Sequence, residues 1–371
     1  MSDTTWSGHR ALVIGGSIGG LTTALLLRRL GFDVDVYERT PTDLDGRGGG
    51  IVLQPDTLRW FTECSDQHPE TVSTSTHFVQ YLGADNEVLH RENAPWSYTS
   101  WGTFYRALLA DFGTEHYHLG EYAAGFDQDA DAVAVRFASG RVETAELVVF
   151  ADGIGSPSRR RIAPGSTLEY SGYVGWRGTV PEREVSAETF ELLHDSISYS
   201  VAPHTHINVY PIPAPGGGLA VGERLLNYVW YRNVPEGHQL DELMTDKRGF
   251  VAGVSLHPGQ VQDTPEGRQL RADVVEQTAH VVGVPDVGGD DVHTAPVALG
   301  DVVDELLSFR RRGPAAGQHQ ILRTQLGQVR CGVQPDRPEA AGDQIGPVGL
   351  RLQRRGHLQD DLADVAGLLR P

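Results

Sequence analysis

An α/β fold carrying a second, mostly antiparallel β-sheet is predicted by three features of the sequence. A glycine-rich turn joins a short apolar strand to a helix near the N-terminus. An acidic residue ends the strand that follows that helix. From Tyr170 to Trp230 the chain becomes dense in Tyr and Trp, with β-rich runs.

Residues 11–14 are a continuous apolar run, as expected of a parallel strand buried on both faces. Leu21, Ala24 and Leu25 recur at helical spacing, and Gly31 falls where a left-handed residue ends a helix. Val34 and Val36 alternate with Asp33 and Asp35 in a second strand that ends at Glu38. These residues form one βαβ unit. A glycine-rich loop at 46–50 leads into a strand at 51–53, and 104–112 is a helix. Val133, Val135 and Phe137 alternate, Ser139-Gly140 turns, and 147–150 is another strand expected to be buried. Runs at 198–201, 207–212 and 228–231 belong to the second sheet. No linker separates the two regions, so interleaving is expected.

Gly15-Gly16-Ser17-Ile18-Gly19-Gly20 lies between the first strand and its helix. Gly15 allows the tight turn and Gly20 the close packing of helix on strand. The helix start, at Ser17 and Ile18, offers free N–H groups and a partial positive charge to a pyrophosphate. Ser17 stands where the usual middle glycine would be, and its hydroxyl can itself donate to a phosphate. Glu38, followed by Arg39, lies eighteen residues past Gly20, where a carboxylate hydrogen-bonds a ribose hydroxyl. Together these features indicate dinucleotide binding. The alternative is a tight turn with no ligand.

Composition narrows the function classes. The formal net charge of −18 argues against nucleic acid and anionic lipid as partners, because both need compensating Lys and Arg. The apolar stretch at 11–27 is glycine-interrupted and short for a bilayer span. Cys64 and Cys331 make no disulfide framework and are expected as free thiols in a reducing cytoplasm. His116 and His118 have no cysteine or acidic cluster nearby in sequence to complete a metal site. No nucleophile elbow is present.

Asp152-Gly153-Ile154-Gly155-Ser156-Pro157-Ser158-Arg159 follows the strand at 147–150 and resembles the D-G-x-x-S-x-x-R motif of class A flavoprotein aromatic hydroxylases. The same residues also fit an acidic turn in which Ser156 caps a helix. Arg106-Ala107-Leu108-Leu109 resembles that family's R-x-x-L element, with a surface arginine on an amphipathic helix as the alternative. Arg47-Gly48-Gly49-Gly50-Ile51-Val52 looks like its isoalloxazine-lining loop. Segments 173–178, 210–213, 230–234 and 241–249 lie beyond the cofactor motifs and look like those of a branch that hydroxylates dihydroxypyridines.

The resemblance implies a Rossmann-like FAD-binding domain over 1–169, a β-rich substrate domain over 170–255, and a C-terminal region over 256–371. FAD is the implied cofactor, with Gly15, Ser17, Ile18, Gly20, Glu38, Arg39, Gly50, Arg106, Asp152 and Gly153 as its ligands. NAD(P)H is the implied co-substrate, and O2 and a small aromatic molecule are the partners. The resemblance also implies the chemistry: reduction of FAD by NAD(P)H, addition of O2 to give a flavin C4a-hydroperoxide, and transfer of OH to an electron-rich ring. A cytoplasmic location is expected, and a homodimer is left open. Tyr173, Trp176, Arg177, His204, His206, Tyr210 and Tyr228 are candidates to line the pocket, each read first as packing. No catalytic base is nameable.

The family's third fingerprint, a strand ending in Gly-Asp before a proline, is not intact. Val297-Ala298-Leu299-Gly300-Asp301 has the strand and the Gly-Asp, with Asp301 as candidate ribitol ligand, but not the continuation. After residue 255 aromatics nearly vanish, and Arg, Gln, Gly and Pro dominate from Arg310 on. A reading-frame shift in the coding sequence or decay explains such a change. A catalytically impaired FAD-binding remnant and another FAD-dependent oxidoreductase are therefore the competing functions.

Overall fold

β1 (Arg10–Ile14), α1 (Ile18–Leu30) and β2 (Asp33–Glu38) form the expected βαβ unit. They belong to a computed structural model that describes residues 6–45, 48–83 and 85–256, and 295–298 as backbone. Then come β3 (Gly50–Val52), α2 (Pro55–Glu63), β4 (Thr74–Leu82), β5 (Val88–Ser100), α3 (Trp101–Phe112) and β6 (Tyr117–Leu119). β7 (Ala123–Gln128), β8 (Val133–Phe137), β9 (Val142–Ala145), β10 (Leu147–Phe150) and α4 (Pro157–Ile162) follow. The remainder is β11 (Tyr173–Pro181), α5 (Ala187–Leu193), β12 (Ser196–Ala202), β13 (Thr205–Ile212), β14 (Leu225–Asn233), α6 (His238–Leu243) and β15 (Ala295–Ala298).

Gly31 ends α1 as expected. Its φ is 101°, its N–H donates to Arg28 O, and Phe32 N–H reaches back to Leu27 O. Arg28 and Arg29 sit in the last turn, where the helix dipole favours cations. α3 starts at Trp101, three residues before the expected start, because the Ser100 side chain caps it by accepting from Thr103 N–H at 3.1 Å.

Four parallel strands in the order β10-β1-β2-β6 make the first sheet. Ala11 and Val13 of β1 pack with Leu21, Ala24, Phe104 and Leu108 of α1 and α3. Leu12 and Ile14 pack the other way, on Val135 and Phe137 of the β7-β8-β9 meander. Burial on both faces is why β1 is an unbroken apolar run. β10, expected to be buried, is half-buried: among the described residues it is an outer strand of this sheet.

The second sheet has eight strands in the order β15-β11-β14-β13-β12-β4-β5-β3. Among the described residues only its β12–β4 pair is parallel. The chain leaves the first sheet after β2, builds β3, β4 and β5 of the second, and returns through α3 to β6. This is the expected interleaving. The long β4–β5 pair was not legible, because most of β5 is exposed and carries no apolar alternation. Cys64 is disulfide-bonded, which corrects the free-thiol expectation: two cysteines make no framework, but their count does not record whether a thiol is bonded. Cys331 and Asp301 lie outside the described residues, as does nearly all of 256–371.

Candidate active site

The β1–α1 turn is shaped by what a side chain would strike. A Cβ on Gly15 would lie 2.2 Å from Ala151 O, and one on Gly20 only 1.8 Å from Gly15 O. Gly15 also has φ of 109°, the left-handed region. At Gly19 a Cβ would meet open space. Ser17 occupies the N-cap of α1, but its side chain makes no capping bond, and the first turn holds no acidic residue. The N–H groups at Ile18 and beyond are therefore left for an external anion.

Glu38, 6% exposed, braces this turn. One carboxylate oxygen accepts from Gly16 N–H and the other from Thr40 N–H, each at 2.9 Å. Tyr117 OH donates to Gly16 O at 2.8 Å, and Tyr105 OH lies 3.2 Å from Tyr117 OH. Arg39 is exposed beside them.

The second motif arrives at the same turn. Ala151 N–H donates to Ile14 O at 2.7 Å, which sets Asp152 against Gly15. Asp152 Oδ1 is buried with no hydrogen-bond partner. Such a group is retained at a cost unless something else satisfies it. Gly153 has φ of 84° and faces open space. Ser156 caps α4, accepting from Arg159 N–H at 2.9 Å, and Arg159 itself donates to Ile154 O. The helix-capping reading of this segment therefore holds, and it leaves Asp152 to spare.

Aromatic contacts lead from here to the second sheet. Tyr105 stacks on Trp101 at 5.0 Å, and Trp101 lies under Gly48 and donates its N–H to Gly49 O. A Cβ on Gly49 would sit 3.2 Å from the Arg177 guanidinium, and one on Gly50 within 2.8 Å of Asn227 and Tyr210. Gly50 N–H donates to Asn227 Oδ1 at 2.8 Å. Arg106 pairs with Asp45, just before this loop, and donates to Pro215 O.

The seven candidates of the second sheet divide by face. Trp176 and Tyr228 pack with Val174, Val209 and Trp230 in an apolar core, away from the glycine loop. Arg177, Tyr173, His206 and Tyr210 occupy the loop side, by strand alternation. His204 is exposed in the β12–β13 turn, with φ of 63°. Alternation also brings Asn208, Asn227, Tyr199 and Tyr231 to the loop side, none of which was singled out in the sequence. Tyr98 stacks on Tyr210 at 4.8 Å, and His206 on Tyr231 at 4.6 Å.

Burial sets the electrostatics of this face. It raises the Tyr210 and Tyr231 phenols against the opposing pull of the Arg177 cation, and raises Tyr199 to about 12. It lowers His206 below the usual imidazole value. Arg177 has no carboxylate partner among the described residues. His116 and His118 both hydrogen-bond Asp35 Oδ1 across the first sheet, an acid about eighty residues away in the chain. Among the described residues no group of three or more ligating side chains could hold a metal, and no helix is long and apolar enough to cross a membrane.

An uncapped helix start, a partnerless buried Asp152 oxygen and a glycine loop laid on an aromatic face fit a flavin dinucleotide. Residues 9–214 match a family model described as an FAD binding domain, and 170–283 one described as FAD binding domain-like. The 2,6-dihydroxypyridine 3-monooxygenase of Paenarthrobacter nicotinovorans is 40% identical over 258 residues, 69% of this chain and 63% of that protein. The chain thus spans less than two thirds of that relative's length. Aurachin C monooxygenase/isomerase of Stigmatella aurantiaca is 26% identical, with 86% of each chain covered. The solved structure of 2,6-dihydroxypyridine-3-hydroxylase from Arthrobacter nicotinovorans aligns with a TM-score of 0.69 at 34% identity, covering 79% of this chain and 73% of that one.

Proposed function

The chain belongs to the FAD-binding family of class A flavoprotein aromatic hydroxylases, and on that footing we propose that it is a monooxygenase that hydroxylates an aromatic or N-heteroaromatic ring, dihydroxypyridine-like, with NAD(P)H and O2. The observation that carries this reading is the convergence of the Gly15–Gly20 turn with Asp152, and of the 48–50 loop with the polar aromatic face of the second sheet.

Ser17, Ile18 and Gly20, at the start of α1, face the pyrophosphate with backbone N–H groups, and Gly15, whose own N–H is held by Tyr37 O, supplies the turn that aims them. Glu38 and Arg39 serve the adenosine end, while Asp152 and Gly153 hold the middle of the cofactor. Arg106 exchanges Asp45 for a cofactor oxygen. Gly50 lets the flat ring approach the backbone. FAD, when bound, supplies the activation of O2 with electrons drawn from NAD(P)H.

The substrate lies on the loop side of the second sheet. Arg177 favours the deprotonated, electron-rich form of its ring by charge. His206, held neutral by burial, takes the ring hydroxyl proton on an imidazole nitrogen. Tyr98, Tyr210 and Tyr231 exclude water and keep the ring flat.

A visible absorption titration of the purified chain with FAD, followed by NAD(P)H oxidation with 2,6-dihydroxypyridine present, tests the proposal. Saturable flavin binding with substrate-stimulated oxidation supports it. Flavin binding without stimulation by any hydroxylated ring supports the impaired remnant instead. No flavin binding defeats both.

A further inference from the structure

Two asparagines on the loop side of the second sheet have unused hydrogen-bonding atoms in buried positions. Asn227 of β14 is 1% exposed. Its Oδ1 is committed to Gly50 N–H, so its amide orientation is fixed and Nδ2 is left as a donor. That Nδ2 has no partner. Asn208 of β13 has its Oδ1 buried, also without a partner. Cross-strand register pairs Tyr210 with Asn227 and Asn208 with Val229. The two amides are therefore diagonal neighbours on one face. One offers an acceptor and the other a donor, beside the glycine loop and Arg177.

We propose that Asn208 and Asn227 select the substrate by the polar edge of its ring: Asn208 Oδ1 accepts from a ring N–H, and Asn227 Nδ2 donates to the oxygen on the adjacent carbon. The inference rests on the proposed ring-hydroxylating function and names the substrate class within it. A hydroxypyridine in its lactam form carries such an N–H and C=O side by side. A phenol of the same shape has C–H in place of N–H and leaves Asn208 Oδ1 buried and unpaired. A site built around a buried polar group rejects the analogue that cannot satisfy it.

The test uses a matched pair of ligands, 2,6-dihydroxypyridine and resorcinol, which differ in one ring position. Each is titrated calorimetrically into the full FAD-loaded chain. The heterocycle is expected to bind about tenfold or more tightly than resorcinol, the worth of one hydrogen bond to a buried group. Asn208→Ala is expected to remove most of that preference by weakening the heterocycle alone. Asn227→Asp keeps the acceptor for Gly50 and loses the donor, so it weakens the heterocycle, whose lactam carbonyl can only accept, whereas the resorcinol hydroxyl can turn to donate to the carboxylate. The ratio between ligands is the readout, because a merely structural defect lowers both affinities in Asn208→Ala. Equal binding of the two rings by the wild type overturns the inference, as does a uniform loss in Asn208→Ala. If Asn208→Ala no longer holds FAD, Asn227→Asp decides: unchanged binding of the heterocycle overturns the proposal. Binding of FAD with no binding of either ring instead removes the ring-hydroxylating reading, and this inference with it.

Discussion

At Gly20 the nearest atom to an added methyl group would be the carbonyl oxygen of Gly15, at 1.8 Å. That oxygen is backbone and cannot swing aside, so α1 must lift from β1. Gly20→Ala is expected to lower stability by roughly 1–3 kcal/mol, the usual range for overpacking, and to weaken FAD binding. Thermal unfolding and a flavin titration read the two effects. Gly19 is the control: its Cβ would enter open space, where the pyrophosphate is proposed to lie. Gly19→Ala should unfold like the wild type yet bind FAD less well. Equal flavin affinity in Gly19→Ala and the wild type would place the phosphates elsewhere. The role of Gly20 was legible in the sequence, because a turn between strand and helix is a local property. Asn208 and Asn227 were not. An amide becomes informative only when its neighbours leave it without a partner, and those neighbours come from other strands.

Among elements, the ends of β11 and β14 are joined by a buried ion pair that no sequence pattern announces. The Arg224 and Glu182 side chains are 3% and 0% exposed, with guanidinium and carboxylate 2.6 Å apart. Glu182 also accepts from Gly222 N–H, and Arg224 donates to His194 O. This satisfies the pair on both sides and fixes the corner below the aromatic face. Arg224→Ala strands a carboxylate in the interior, and a loss of about 3–5 kcal/mol in urea unfolding is expected. Replacing both partners, Glu182→Leu with Arg224→Met, should recover most of that loss; if it does not, the corner depends on the charges themselves. The β4–β5 pair was missed for a related reason. Its strands are stabilised by pairing within a broad sheet rather than by an apolar face of their own, and periodicity reports only the latter. The strands at 207–212 and 228–231 were found because one face of each is apolar core. The face that carries the chemistry was the one alternation could not assign.

Over the whole molecule, two titrating groups, the buried Asp35 and the half-buried His206, are expected to make stability fall in acid, in separate pH windows. Burial would raise Asp35, but hydrogen bonds from Arg10, His118 and His116 outweigh it and hold the carboxyl at about 2. Its folded value lies below the unfolded value of about 3.9, so its stabilisation is present above that pH and is lost as pH falls toward 2. His206 is lowered by burial alone. Its unfolded form takes up a proton near pH 6.5 while the folded form still resists, so stability declines as pH falls below that value and levels off once the folded imidazole also protonates. The net charge of −18 acts in the opposite sense, because acid reduces self-repulsion across the chain. Absolute stability curves mix these effects, whereas differences between variants separate them. Urea midpoints of the wild type and His206→Gln should converge as pH drops from 8 to 5. Those of the wild type and Asp35→Asn should stay apart until pH approaches 4 and converge below it. A His206→Gln difference that is constant from pH 8 to 5 would mean that the imidazole titrates as freely in the folded chain as in the unfolded one. The aromatic face would then be open to water, and burial would no longer be what keeps His206 neutral in the proposed hydroxylation.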